Sequence, residues 1–245
     1  MPHIGCILTL YKRPDSIPMQ LEALRSQTIK PTEIMLWQNA AKPEVSLDPA
    51  LLKGVRHIYA KPNMGVWPRF LAGMEMKSEF ICVFDDDTIP GVMWLENCMK
   101  TMRTHKGLLG TIGLRFKCSR RTPYVRFGWR NPNTKVEEVD LVGHSWFFRR
   151  DWLRYYALEP RQGGPTFGED YHFSVALQKH LRLGTYVPPH PPNCKRMWGS
   201  LYGGTIGRDE HSLWRVKGEV AKKTVMHGQY IKSGWKTLAM RKGKK

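Results

Sequence analysis

The chain opens on an apolar run, His3–Leu10, that reads as a buried strand and ends in the polar loop Tyr11-Lys12-Arg13-Pro14-Asp15. Met19, Leu21, Leu24 and Ile29 follow at spacings that place them on one face of a helix. Short strands are predicted at Glu33–Trp37 and Val55–Tyr59, and a helical turn from Phe70 to Met76. Phe80–Phe84 is the most hydrophobic short run, rich in aromatic and β-branched residues and followed by Pro90-Gly91, which marks a further buried strand. Alternation of strand and helix predicts an α/β fold with a mostly parallel central sheet covered by helices on both faces. Ligands of such sheets sit beyond the carboxyl ends of the strands. The Tyr11–Arg13 loop and the residues after Phe84 are therefore expected to meet in space.

Beyond residue 107 the alternation breaks down. Leu108–Phe116, Val125–Trp129, Val136–Val142 and Ser145–Phe148 read as strands joined by short loops, a smaller mixed-strand region. A helix is predicted over Tyr171–His180, then a strand over Gly184–Pro188 and the stiff stretch Pro188-Pro189-His190-Pro191-Pro192. After Gly207 the pattern is a basic helical extension with a frayed tail, Arg241–Lys245. The expected organisation is 1–106 as a first α/β half, 107–206 as the second half of the same domain, and 207–245 as the C-terminal extension. No internal repeat is present.

Chemistry enters where the strand Phe80–Phe84 ends, in three consecutive carboxylates, Asp85-Asp86-Asp87. Three negative charges at the end of a buried strand are costly unless a cation sits with them. Hard oxygen ligands of this kind suit Mg²⁺ or Mn²⁺, which share their remaining positions with phosphate oxygens. The plainer alternative is a solvated acidic turn.

The chain resembles family-2-type glycosyltransferases with the GT-A fold over roughly residues 3–190. The resemblance rests on ordered features: Leu10-Tyr11-Lys12-Arg13-Pro14 after the first strand, Asn63-x-Gly65 leading into a helix with Arg69, and the Asp-x-Asp motif at Asp85–Asp87. Gly143-His144-Ser145 before Trp146-Phe147-Phe148, and Gly168-Glu169-Asp170 opening a helix, complete the series. It implies a GT-A fold whose first half binds a nucleotide sugar and whose second half holds the acceptor and the catalytic base. It further implies metal-dependent transfer of a hexosyl-type sugar from a nucleoside diphosphate to a hydroxyl, with inversion. Asp87 and Asp85 would be metal ligands, with His190 a further one. Thr9, Tyr11, Arg13, Asn39, Asn63, Arg69, Asp85, Asp86 and Glu169 would bind the donor, Tyr11 by stacking on the base and the arginines by facing the diphosphate. Asp170 stands where inverting relatives keep their base; a carboxylate at a helix N-terminus also has a purely structural use, facing the positive end of the helix dipole. Trp37-Gln38-Asn39-Ala40 stands instead of the usual Asp-Asp-Gly-Ser-like turn that reads uracil, a departure from the family pattern that leaves a UDP-sugar as a default donor only. Phosphatases of the haloacid-dehalogenase type also carry Asp-x-Asp after an apolar strand. They follow it two residues later with Thr or Val, where this chain has Ile89, and their later lysine and acidic pair are not found.

Charge bears on the acceptor. Thirty-nine basic residues against 21 acidic ones give a net charge of +18, more than a nucleotide sugar requires. Arg115, Lys117, Arg120, Arg121, Arg126 and Arg130 form one acid-free stretch, interleaved with Phe116, Tyr124, Phe127 and Trp129. Residues 211–245 hold ten Lys or Arg against Glu219 alone. Basic residues alternating with aromatic ones suit a nucleic-acid groove, or else are the solvated and core sides of strands. Arg115, Arg120, Arg121, Arg126, Trp129 and His144 are the acceptor-side candidates. A polyanion is expected, foremost DNA with hydroxymethylated pyrimidines, as for phage-type DNA glycosyltransferases, whose base would leave the stack to react. The alternatives are a cell-surface or lipid-linked glycan or a protein, and, from another class, an inactive basic nucleic-acid-binding protein. The stripe Val216, Val220, Val225 and Ile231 is too thin for a membrane helix, and no stretch approaches the roughly 18 apolar residues of a span. With no secretory-type N-terminus and five widely spaced cysteines lacking any Cys-x-x-Cys pair, a reduced cytoplasmic setting is expected, that of the host if the chain is phage-encoded.

Overall fold

The computed structural model describes residues 2–207, 209 and 218–242. Its strands are β1 (Ile4–Leu10), β2 (Glu33–Asn39), β3 (Arg56–Ala60), β4 (Phe80–Phe84), β5 (Gly107–Phe116), β6 (Tyr124–Gly128), β7 (Glu137–Val139), β8 (Leu141–Arg149) and β9 (Gly184–Val187). The α-helices are α1 (Ser16–Arg25), α2 (Pro68–Leu71), α3 (Trp94–Thr104), α4 (Leu153–Leu158), α5 (Glu169–Leu181), α6 (Glu219–Lys232) and α7 (Leu238–Lys242).

All these strands join one sheet in the order β3-β2-β1-β4-β8-β5-β9-β7, with β6 added on β5. The side β3-β2-β1-β4 is parallel, as the alternation requires. Every residue of β1 and β4 is buried, the pattern of strands covered on both faces. Beyond β4 the sheet is mixed: β8 runs antiparallel to β4 and β5, while β9 is parallel to β5. Along β8, Trp146 and Phe148 pack with Phe70 of α2 and, through Phe148, with Phe173 of α5. Phe147 between them points to the other face and stacks on Phe80.

Several elements differ from the sequence pattern. Helix α1 stops before Ile29, and its Met19 is 40% exposed while Gln20 is fully buried. Helix α3 was not anticipated, although Trp94, Leu95, Cys98, Met99 and Met102 recur at helical spacing and are all buried. The expected strands 136–142 and 145–148 divide at Asp140 instead. The Asp140 carboxylate turns inward and accepts the Phe116 and Leu238 amides, so the chain changes partners there. Strand β7 before it pairs with β9, and β8 after it runs unbroken through Gly143-His144.

The C-terminal helices pack on the sheet half that precedes them. Met226, Tyr230 and Trp235 form a core cluster with Phe116, Leu141, Tyr171 and Val175. Helix α6 buries Met226, His227 and Tyr230, while Val220 and Val225 of the expected stripe are more than 60% exposed. Val216 of that stripe and residues 243–245 of the tail lie outside the described residues. All five cysteines are free, with Cys6, Cys82 and Cys98 filling the core. Among the described residues, no helix is long and apolar enough to cross a membrane.

Candidate active site

The carboxyl ends of β1 and β4 converge as adjacent parallel strands must. The Asp85–Thr88 turn that follows β4 is closed by the Thr88 amide donating to the Asp85 carbonyl at 3.1 Å. Gln20 reaches this turn from α1 and donates its amide hydrogens to the Asp85 and Thr88 carbonyls, at 2.7 and 2.9 Å. Its only sequence signal was a polar residue on the buried side of a helix, a position the pattern had given to Met19.

Each aspartate has a different basic partner. Arg69 of α2 donates to Asp85 at 2.5 Å and to Glu169, at the start of α5, at 2.9 Å. Arg69 is itself buried against the Trp146 ring, 4.9 Å from its centroid. Arg13 of the β1 loop donates to Asp86 at 2.5 Å and to both carboxylate oxygens of Asp209 at 2.6 Å. His144 of β8 lies 3.5 Å from Asp87, an ion-pair distance too long for a hydrogen bond. Basic groups from three elements thus meet the acidic cluster, but each arginine also pairs with a second carboxylate, so the cluster is not a lone solvated turn and keeps an excess of acidic groups over basic ones.

A β-bulge sets the position of His144. Gly110 faces Trp146 and Ile112 faces Gly143, so His144 and Ser145 on β8 stand opposite Thr111 alone on β5. His144 takes a left-handed backbone, φ 65°, at this bulge, and its carbonyl accepts the Asp85 amide. The ligand atoms of Asp85, Asp87 and His144 lie within 4.8 Å of one another. His144 Nδ1 is shut off from solvent and has no hydrogen-bond partner among the described residues. Two carboxylates and an imidazole nitrogen aimed at one point fit a divalent cation such as Mn²⁺ or Mg²⁺. On the far side, Gly207 (φ 79°) lies so close that a methyl group there would overlap the Asp87 carboxylate.

The electrostatics follow from burial and pairing. Burial pushes Asp86 up to about 6 against the pull of Arg13, and raises Asp85 against Arg69. Asp87 ends below its ordinary value because His144 and Arg13 outweigh its burial. His144 is raised in turn: its burial favours the neutral ring, but Asp87 and Asp85 prevail. Glu169 is driven up to about 7 by burial, despite Arg69.

His190 does not join this group. It is fully buried, its Nδ1–H donates to the Pro188 carbonyl at 2.8 Å, and its Nε2 accepts the Gly199 amide at 3.1 Å. With both ring nitrogens spent and burial holding it neutral, down to about 4, it is placed as a structural residue rather than a ligand. The histidine at the aspartates is His144, which the sequence pattern had put with the acceptor.

Other expected donor residues divide. Tyr11 is 37% exposed and lines a cavity beyond the ends of β1, β2 and β3. Thr9 is buried and spends its hydroxyl on the Phe84 carbonyl at 2.9 Å, a tie between strands. Asn39 is likewise spent. Its oxygen accepts from the Met64 amide at 3.1 Å and the Trp37 indole at 3.3 Å, and its amide donates to the Gly65 carbonyl at 3.0 Å. Asn63 borders the same cavity and closes the turn by accepting the Gly65 amide.

On the acceptor side, Asp170 sits one residue inside α5, whose entry Gly168 has φ 100°. One Asp170 oxygen accepts the Tyr171 amide at 2.8 Å, and the other has no protein partner among the described residues. Trp129 lies edge-on to His144, 6.0 Å between centroids. Arg115 is turned away: it pairs with Glu137 at 2.8 Å and covers the Phe127 ring. Arg126 lies over Tyr124, Arg121 has its Nε enclosed, and Lys117 and Arg120 are exposed.

No protein-family model matches this sequence, and no curated protein matches it. In structure it is similar to S. aureus TarS, with a TM-score of 0.52 at 15% identity over 76% of this chain and 36% of that one. The 1–349 segment of S. aureus TarS in complex with UDP-GlcNAc gives 0.51 at 16% identity, covering 76% and 56%. GalNAc-T7 with UDP, GalNAc and Mn²⁺ gives 0.61 at 11% identity, covering 76% and 42%. The likeness therefore spans between 36% and 56% of those chains. At these identities it is a likeness of fold. The chain has the GT-A fold that the resemblance implied, and its Asp-x-Asp lies in a group able to hold a metal.

Proposed function

We propose that this chain transfers a sugar, of hexosyl type, from a nucleoside-diphosphate sugar to an acceptor hydroxyl, with inversion and with Mn²⁺ or Mg²⁺. The observation that carries the reading is the convergence of Asp85, Asp87 and His144 within 4.8 Å, beside Arg13 and Arg69, at the carboxyl edge of a GT-A sheet. Two of the structural neighbours were crystallised with UDP or UDP-GlcNAc, which makes a UDP-sugar the first donor to try. Asp85, Asp87 and His144 would hold the cation, which supplies positive charge against the leaving diphosphate. Arg13 meets the same diphosphate once its carboxylate partner Asp209 gives way to phosphate oxygens. Arg69, pinned between Asp85 and Glu169, sets the distance between the donor side and the start of α5. The free oxygen of Asp170 takes the acceptor proton as the new carbon–oxygen bond forms and the bond to the diphosphate breaks.

The acceptor in this reading is a polyanion, with hydroxymethylpyrimidine DNA first among candidates. The exposed Lys117 and Arg120 and the partly exposed Arg126 and Trp129 support a charged acceptor beside His144. The test is nucleotide release with Mn²⁺ and a panel of nucleotide sugars, with and without plain and hydroxymethylated DNA. Release stimulated by modified DNA alone is expected. Release indifferent to DNA would move the acceptor to a glycan or protein, and DNA binding without release from any donor would leave a binding protein.

A further inference from the structure

The loop between β5 and β6, residues 117–123, carries Lys117, Arg120 and Arg121 and no acidic residue. Its internal ties among the described residues are the Lys117 amide on the Pro123 carbonyl at 2.9 Å and weak contacts of the Cys118 sulfur with residues 120 and 122. Three cations this close together repel, and a loop so lightly tied needs a hold from outside. The C-terminal helices supply it. His227 of α6 donates from Nε2 to the Ser119 carbonyl at 2.8 Å, and Thr237, just before α7, donates its hydroxyl to the Cys118 carbonyl at 3.2 Å.

His227 is buried, and its ring stands edge-on to Phe116 of β5, Tyr171 of α5 and Trp235, with centroids 4.8, 5.8 and 5.5 Å away. A carbonyl oxygen only accepts, so Nε2 carries the hydrogen; Nδ1, buried with no partner among the described residues, is the bare nitrogen. Burial, with the nearby Arg121 charge, holds the ring below its ordinary value against the pull of the Ser119 bond. A side chain wanted only as filler here would be apolar, since a bare buried nitrogen is a cost. The bond to Ser119 is what the imidazole adds. In the same loop Arg121, its Nε enclosed, comes close enough to Tyr171 for its charge to oppose the rise that burial gives that hydroxyl. Tyr171 follows Asp170 in α5, so the braced loop borders the helix turn that carries the proposed base.

We infer that His227 is a positioning residue: through the Ser119 carbonyl it holds the basic loop 117–123 in place for a polyanionic acceptor beside Asp170, with Thr237 as a second brace. This rests on the acceptor reading above and gives the C-terminal helices a task within it. A loop already ordered spares the acceptor the entropy of fixing it. One hydrogen bond of this kind changes the population of the opened loop by up to about tenfold.

The experiment compares His227→Gln, whose amide nitrogen can stand in for Nε2, with His227→Phe, which fills the aromatic setting but cannot donate. Hydrogen exchange over residues 117–123 and binding of a hydroxymethylcytosine-containing duplex oligonucleotide are measured on wild type, both variants and Thr237→Val. His227→Phe should exchange the loop amides up to about tenfold faster and bind the oligonucleotide several-fold more weakly, with Mn²⁺-dependent UDP affinity unchanged. His227→Gln should restore most of both. Thr237→Val, which loosens the loop without touching the ring, should move both in the direction of His227→Phe. His227→Phe as good as wild type, with His227→Gln worse, would make the ring a filler and overturn the assignment; so would faster exchange with unaltered oligonucleotide affinity. An oligonucleotide that wild type itself does not bind would fell the polyanionic acceptor and with it the use assigned to the loop, a failure that the exchange rates tell apart from a misplaced His227.

Discussion

His190 and His144 make opposite predictions from the same side chain. His190 is neutral and fully buried in the fold, held down to about 4 from an ordinary 6.5 by its burial, despite its bond to the Pro188 carbonyl. Its folded value is depressed, so the unfolded chain binds more protons between these values, and stability falls as pH drops from 6.5 towards 4. At 1.36 kcal/mol per unit, this single ring costs the fold about 2 kcal/mol at pH 5 and about 3 kcal/mol below pH 4. Asp86, Asp140 and Glu169, all raised chiefly by burial, act in the opposite direction, since a carboxylate disfavoured when charged stabilises the fold as pH falls. Their effect is common to wild type and variant, so the difference between the two isolates the histidine. Urea unfolding of wild type and His190→Gln in chelator, at pH 7.5 and pH 5, should show the variant losing about 2 kcal/mol less over that interval, whatever its stability at the upper pH. Mn²⁺ titration followed by electron paramagnetic resonance supplies the second arm. His190→Gln should keep the wild-type affinity, while His144→Gln should lose at least about tenfold, having lost a ligand. Parallel pH profiles, or loss of Mn²⁺ in His190→Gln with retention in His144→Gln, would refute the assignment of both rings.

Asp170→Asn should bind nucleotide and Mn²⁺ as wild type does but transfer sugar about 10²–10⁴-fold more slowly, the range of a lost general base; undiminished turnover would move the proton to another group. Gln20→Leu removes two buried donors from the Asp85–Thr88 turn and should cost about 2 kcal/mol by urea unfolding. It should also weaken Mn²⁺ binding, and unchanged Mn²⁺ affinity would confine Gln20 to the fold. Replacing the exposed Lys117 and Arg120 with alanine should lower the salt slope of polyanion binding by about two while leaving UDP affinity intact. Equal loss for both ligands would remove these residues from the acceptor side.

The sequence alone was enough for what depends on neighbours along the chain. The all-apolar runs of β1 and β4 declare strands covered on both faces, because only full burial favours such composition. Their parallel pairing, implied by the helices between them, brings the Arg13 loop to the aspartates. Chain-neighbour patterns also placed α5 and its opening Glu169-Asp170 pair. Tertiary structure alone decided which residues became partners across long stretches of chain. His144 reaches Asp85 and Asp87 because β8 pairs with β4 and carries one more residue than β5 at the bulge, a mismatch between strands that neither strand shows by itself. His190, with the more suggestive surroundings, is drawn inward where the Pro188 carbonyl and the Gly199 amide take both its nitrogens. Asn39 and Thr9 stand at or next to the carboxyl ends of their strands, where the resemblance implied donor contacts, yet their hydrogen bonds go to the protein. A polar side chain's role depends on whether folding leaves its donors and acceptors free, and that is settled by which groups come within hydrogen-bond reach of it, not by its place in a motif.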